Sequence, residues 1–87
     1  MVPVTILRET IAREDLLLAD LRAKFGGRLR QIRAERRMTQ EQFAEHLHMS
    51  VDFLSLMERG RNAPSFETLD RMAKRLRLTV ADLFRFD

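Results

Sequence analysis

A chain of 87 residues, 45% of them hydrophobic, has the length of one small domain and can bury one modest core. It contains no cysteine, and His46 and His48 stand two residues apart, a spacing that cannot converge from one helical face, so disulfides, metal sites and thiol chemistry are excluded. The net charge of +3 is modest, and the isoelectric point near 10.5 reflects how few groups titrate between about pH 7 and 12.

The apolar spacing is helical along nearly the whole chain, so the sequence predicts an all-α fold. The first element is an amphipathic helix from about Thr5 to Lys24, with an apolar stripe interrupted only by Glu14. Gly26 and Gly27 then predict a break or bend before a second helix at about 27–37. The stripe consists of Leu7, Ile11, Leu18, Leu21 and Phe25, and the second helix is expected to turn outward Arg28, Arg30, Arg36 and Arg37.

Polar capping residues predict where the remaining helices begin. The run TQEQ places an N-cap threonine before a helix, with Gln42 at the position of a capping box. Asp82 completes a second capping box, and Gly60 suits the left-handed residue that closes a helix. The predicted N-caps are Thr39, Ser50, Ser65 and Thr79. The residues predicted to face the core are Leu29, Ile32, Phe43, Ala44, Leu47, Leu54, Met57, Leu69, Met72, Ala73 and Leu76.

The charges are unevenly distributed along the chain. Residues 22–37 carry seven cations against one anion, and residues 59–77 carry six against two. Residues 38–58 carry four anions and no lysine or arginine. Any attraction to phosphate must therefore come from the two basic blocks that flank the acidic middle.

From Phe25 to Phe84 the chain resembles the helix-turn-helix domains of the phage-repressor and Cro type, the XRE family. The resemblance rests on FGGRLRQIRAERRMTQEQFAEHL, MSVDFLSLMERGRNAPSFETLDRMAKRL and LTVADLF, which follow in the family's order without insertion. It implies a five-helix phage-repressor-like domain over residues 25–87. Residues 1–24 would form an additional N-terminal amphipathic helical extension.

The family resemblance also implies roles for individual residues. The second and third helices of the five would form the motif, and the third would lie in the major groove of double-stranded DNA. Gln40 would hydrogen-bond a phosphate, helped by the helix N-terminus, and Arg33 would pair with Glu58 to fix the angle between helices. The DNA-binding candidates are Thr39, Gln40, Ser50, Val51, Asp52, Ser55, Leu56, Arg59, Arg61 and Asn62. Val51, Asp52, Ser55 and Leu56 would face bases, whereas Arg59, Arg61 and Asn62 would grip the backbone.

The base-facing set is unusual, because it lacks the arginine, glutamine and asparagine side chains that commonly read guanine and adenine. Val51 and Leu56 could contact thymine methyl groups, and Asp52 could accept a hydrogen bond from a cytosine amino group. We therefore expect modest specificity from each contact, supported by phosphate contacts, dimerisation and DNA shape.

The sequence favours a sequence-specific transcriptional regulator, a repressor-like homodimer that reads DNA with helix 51–59. The alternative is an antitoxin-like or anti-regulator module that binds a protein partner through the same frame. The extension at residues 1–24 could pack on its own domain, or serve as a dimer arm or partner-binding helix, since its stripe has heptad-like spacing.

No catalytic constellation and no phosphate-binding glycine loop is recognisable, so we expect neither an enzyme nor a cofactor or small-molecule substrate. The longest apolar run covers only residues 16–19 and the N-terminal residues are charged. We therefore expect no membrane span, no signal peptide and a cytoplasmic location.

Overall fold

The computed structural model of the chain describes the backbone of residues 4–86 and the side chains of residues 13–86. Within that part the fold is all-helical, which confirms the predicted class. The helices are α1 Val4–Glu35, α2 Gln40–His46, α3 Val51–Glu58, α4 Phe66–Leu76 and α5 Val80–Leu83. None of the helices in residues 4–86 is long and apolar enough to cross a membrane.

The break predicted at Gly26 and Gly27 is wrong, because α1 runs through both glycines as one helix of 32 residues. A Cβ atom on Gly26 would lie against the carbonyl oxygen of Met57 and 2.7 Å from that of Glu58. The glycine therefore allows α1 to pack directly against the backbone of α3. A Cβ atom on Gly27 would meet nothing within 4 Å. The packing of α1 on α3 outweighs the cost of about 1 kcal/mol for each glycine in a helix.

One core joins α1 to the four short helices. Every residue predicted to face the core is buried, together with Phe25 from the predicted stripe and Leu83 from α5. The four N-caps and both capping boxes are also present, and Gly60 has the expected positive φ of 73°. These caps satisfy backbone N–H groups at helix starts, which matters most where a helix has only one or two turns.

Two of the four arginines expected to face outward also connect helices through hydrogen bonds. Arg28 Nε donates to the Asp82 carbonyl oxygen at 2.9 Å, and Arg36 donates to the Leu76 carbonyl oxygen at 2.6 Å. The last carbonyl groups of a helix have no partner within it, so a guanidinium from a neighbouring helix can satisfy them. Arg28 is half-buried, so the expectation of an outward face is wrong for it, whereas Arg30, Arg36 and Arg37 are exposed as expected.

Most described side chains of the N-terminal extension are exposed, and only its C-terminal end approaches the domain. Residues 13–21 are all exposed, with Leu16 71%, Leu17 63%, Leu18 45% and Leu21 46% accessible. Residues 13–17 therefore make no buried contact with the domain, whereas Leu18 and Leu21 are about half-covered and lie beside domain residues. The stripe residues Leu7 and Ile11 lie outside the described side chains.

Candidate nucleic-acid interface

The turn between α2 and α3 is tight and held by backbone hydrogen bonds. The Met49 N–H donates to the Ala44 carbonyl oxygen at 3.0 Å, and the His48 N–H donates to Glu45 at 3.1 Å. His48 adopts a φ of 56°, in the left-handed region that reverses the chain after a helix. Ser50 then starts α3, since its Oγ accepts from the Phe53 N–H at 3.1 Å. This geometry fixes the direction of α3 relative to α2.

One face of α3 stays accessible while the other forms part of the core. Leu54 and Met57 are fully buried, whereas Asp52 is exposed. The remaining base-facing candidates are half-buried: Val51, Ser55 and Leu56. Val51 and Phe53 also pack against the core, so their contacts with it limit how far they can move. The face thus offers a carboxylate, a hydroxyl and two aliphatic groups on a rigid helix.

Thr39 and Ser50 both have N-cap roles. The Thr39 Oγ1 accepts from the Gln42 N–H at 3.1 Å, and the Gln42 side chain accepts from the Thr39 N–H at 2.9 Å. Each cap uses the hydroxyl oxygen as an acceptor and leaves its proton available as a donor. Both residues can therefore cap a helix and contact an anion together.

Arg33, Glu58 and Gln40 form one connected network beneath this face. Arg33 Nε donates to Glu58 Oε2 at 2.8 Å, and a second guanidinium nitrogen donates to Oε1 at 3.0 Å. Gln40 Nε2 donates to the same Oε1 at 3.1 Å. Glu58 is 2% exposed, and its hydrogen bond raises the pKa of the Arg33 guanidinium above the ordinary value. The bidentate pair ties α1 to α3, and the Gln40 amide adds the start of α2.

The segment after α3 exposes polar side chains. Arg59, Arg61 and Asn62 are all exposed. Arg59 Nε reaches back to the Ser55 carbonyl oxygen at 3.3 Å, and Asn62 Oδ1 accepts from the Ala63 N–H at 2.8 Å. Arg59 and Arg61 therefore lie just beyond the acidic segment 38–58, where they can approach the phosphate backbone of a nucleic acid.

Sequence reasoning missed two kinds of contact in this region. The Gln40 to Glu58 hydrogen bond joins residues 18 positions apart, and no local pattern indicates it. Arg71 and Arg75 donate to the carbonyl oxygens of Leu47 and His46, at the end of α2, at 3.2 and 2.8 Å. The unsatisfied carbonyl groups of a seven-residue helix were the available signal for these arginines.

A family model described as a helix-turn-helix domain matches residues 24–86. The HTH-type transcriptional regulator DdrOP3 of Deinococcus deserti is 45% identical over 56 residues, which cover 64% of this chain and 43% of that protein. The immunity repressor protein of Bacillus phage phi105 is 41% identical over 56 residues, which cover 64% of this chain and 39% of that protein. The chain therefore spans about two fifths of the length of these two relatives.

Two solved structures match this chain over most of their own length. The restriction-modification controller protein C.AhdI from Aeromonas hydrophila has a TM-score of 0.68 and 32% identity, with 76% of this chain and 98% of that chain covered. The clp gene regulator ClgR from C. glutamicum has a TM-score of 0.67 and 38% identity, with 74% and 82% covered. Together with the family match over residues 24–86, these similarities assign the chain to the XRE-type helix-turn-helix domain family.

Proposed function

We propose that this chain is a sequence-specific DNA-binding transcriptional regulator, a repressor-like homodimer that places α3 in the major groove. The observation that carries this proposal is the accessible face of α3 on a helix-turn-helix frame. That frame is held by the bidentate Arg33–Glu58 pair, whose carboxylate is buried. A homodimer would present two such helices to half-sites about one turn of DNA apart. Occupancy of a site that overlaps a promoter would then repress transcription.

Base readout in this proposal depends on apolar contacts and one carboxylate. Val51 and Leu56 would contact thymine methyl groups, and the exposed Asp52 would accept from a cytosine amino group. Ser55 can donate or accept. Asp52 also disfavours bases that present an acceptor at the same position, because a carboxylate at neutral pH can only accept. Discrimination would therefore depend on rejection of the wrong base as well as on attraction to the right one.

Phosphate contacts would come from groups around the edge of α3. Gln40 uses one amide proton for Glu58 and retains a second that can reach a phosphate oxygen. Arg59, Arg61 and Asn62 would hold the backbone beyond the C-terminal end of α3. Because the side chain of Gln40 is already oriented by Glu58, little rotational freedom is lost when it binds phosphate.

Electrostatic attraction in this proposal is confined to the flanks of the motif. Residues 38–58 carry four anions, so the reading unit itself is repelled by DNA, whereas residues 22–37 and 59–77 are basic. Non-specific binding should therefore be weak, and specific binding should fall steeply as salt increases if several phosphates are contacted.

Selection from a random duplex pool tests the proposal. The enriched sequence and a scrambled control are titrated by fluorescence anisotropy at several salt concentrations. We expect a palindromic site that is bound much more tightly than the control, with a steep salt slope. No enrichment, together with weak binding that salt hardly changes, would contradict DNA reading and favour a protein-binding role for α3.

A further inference from the structure

Two of the exposed leucines of α1, Leu18 and Leu21, line an apolar groove on the domain. A groove of about 190 Å³ lies between α1 and the segment that joins α3 to α4, with Leu18 and Leu21 on one side. Phe66 is 86% exposed and Phe84 is 36% exposed, and both line the same groove. Because single exposed leucines are ordinary but a continuous apolar surface is not, this face is a candidate interface.

Charged groups lie along one flank of this face. Arg22 lines the groove, and its buried Nε finds no hydrogen-bond acceptor within residues 4–86. Asp15 is exposed, seven residues earlier in α1. Seven residues are close to two helical turns, so Asp15 and Arg22 follow one edge of the stripe that contains Leu18 and Leu21. The Arg22 side chain as a whole is only half-buried, so an anion supplied from outside can still pair with its guanidinium.

We propose that this face binds a second copy of the chain across a two-fold axis, with the two α1 helices antiparallel. The axis would pass between Leu18 and Leu21, so that each packs on the other residue of the second copy. Asp15 would then lie about 3 Å along the axis from Arg22 of the second copy, within reach of a salt bridge on both sides. Phe66 and Phe84 would flank this central contact.

Charge complementarity selects the antiparallel arrangement and a second copy as the occupant. In a parallel pair each residue lies beside its own equivalent, which would place Glu14 of one copy against Glu14 of the other. The antiparallel pair avoids that repulsion and matches opposite charges twice. The helices would cross at an angle, as most helix pairs do in globular proteins, so that the second helix leaves the stripe before Phe25, which the domain itself covers.

This interface would be the dimer contact of the homodimer proposed above, and it rests on that proposal. Sedimentation velocity of the full chain without DNA tests it first. The wild type should sediment as a dimer, and Leu18→Glu should raise the dimer dissociation constant by about 30-fold or more, because it places a charge in the apolar centre. Leu16→Glu, on the opposite side of α1, is the matched control and should leave the dimer intact.

Charge reversal tests the antiparallel pairing itself. Asp15→Arg should weaken the dimer by about tenfold, because it places two cations together. The double variant Asp15→Arg with Arg22→Asp should restore it. Asp20→Arg makes the same charge change on the far side of the helix and should have no effect on dimerisation. Circular dichroism must show equal helicity for all variants, so that a loss of dimer reports the interface and not the fold.

Separate outcomes distinguish failure of the interface from failure of the proposed function. A wild-type chain that stays monomeric at its highest soluble concentration would overturn the interface. A dimer that tolerates both Leu18→Glu and Asp15→Arg would overturn it as well, even where DNA binding is normal. A dimer that Leu18→Glu disrupts, in a chain that enriches no DNA sequence, would support the interface and contradict the regulator. With both correct, Leu18→Glu should retain binding to a single half-site and lose cooperative binding to the palindrome.

Discussion

Replacement of Arg33 by methionine should be the most damaging single change in the Arg33–Glu58–Gln40 network. Among the side chains of residues 13–86, it leaves the Glu58 carboxylate, which is 2% exposed, with the Gln40 amide as its one donor. Removing one partner of a buried ion pair costs about 3 to 5 kcal/mol, because the remaining charge stays desolvated. A domain of this length has about 4 to 13 kcal/mol of stability in total. Arg33→Met should therefore leave the domain close to its unfolding threshold.

Replacement of Glu58 should lower the free energy of unfolding by less than replacement of Arg33. The Arg33 side chain is 24% exposed, so in Glu58→Gln the guanidinium can reach water and still donate to the Met38 carbonyl oxygen. We expect a cost of about 1 to 3 kcal/mol for that variant. The double variant Arg33→Met with Glu58→Met should recover most of the loss, because it removes both buried charges.

Urea unfolding at pH 7 and one fixed protein concentration measures all three variants. A cost below about 1 kcal/mol for Arg33→Met, or a cost below that of Glu58→Gln, would refute the role of the buried Glu58 carboxylate, because its burial is what makes the two variants differ. A double variant no more stable than Arg33→Met would show that the loss comes from packing. The guanidinium stem would then matter more than the charge.

Further predictions concern packing, DNA readout and pH. Gly26→Ala should destabilise the chain by about 1 to 3 kcal/mol, because the added Cβ meets the backbone of α3. Gly27→Ala should stabilise it by about 0.5 to 1 kcal/mol, because its added Cβ meets nothing within 4 Å. Equal melting temperatures for the two variants would contradict this. Arg61→Ala should weaken binding to all DNA sequences alike. Asp52→Ala should instead reduce the preference at one base pair by about 1 to 3 kcal/mol. Equal losses of affinity for specific and random duplexes in Asp52→Ala would exclude Asp52 as a base-reading residue. Hydrogen bonds from Thr79 lower the pKa of Asp82, so the ionised Asp82 carboxylate stabilises the fold fully above about pH 4 and this contribution is lost as the pH falls further. The difference in unfolding free energy between the wild type and Asp82→Ala should therefore shrink in acid. A constant difference down to about pH 2 would count against this.

The elements that the sequence predicted correctly depend on local signals. Capping boxes at Thr39 and Thr79 require side chains only three residues apart, and helical spacing identifies buried positions within each helix. Both signals are contained in a few consecutive residues, so they can be recognised without knowledge of the tertiary fold. The family pattern added which two of these helices form the motif.

The incorrect expectations depend on contacts between distant residues. Gly26 predicts a break because a glycine usually weakens a helix. The helix continues through it because α1 packs against the backbone of α3, and this close packing leaves no room for a Cβ atom at position 26. The hydrogen bonds of Arg28 and Arg36 to helix-end carbonyl groups were not predicted, because those carbonyl groups are 54 and 40 residues away. The same limit applies to the candidate interface, where Gln40 is oriented by a carboxylate on another helix. Local spacing carries no information on such partners.

The unbroken helix α1 has a consequence for how the regulator would tolerate changes in its operator. If α1 had a hinge between the dimer contact and the helix-turn-helix domain, each α3 could rotate to follow its own half-site. Here one continuous helix carries both the Leu18 face and the Gly26 contact with α3, so the two α3 helices of a dimer would keep a fixed separation and a fixed rotation about the DNA axis. One base pair inserted between half-sites rotates them by about 34° relative to each other. Such an insertion should therefore abolish simultaneous binding, and spacer length would be part of what this protein recognises.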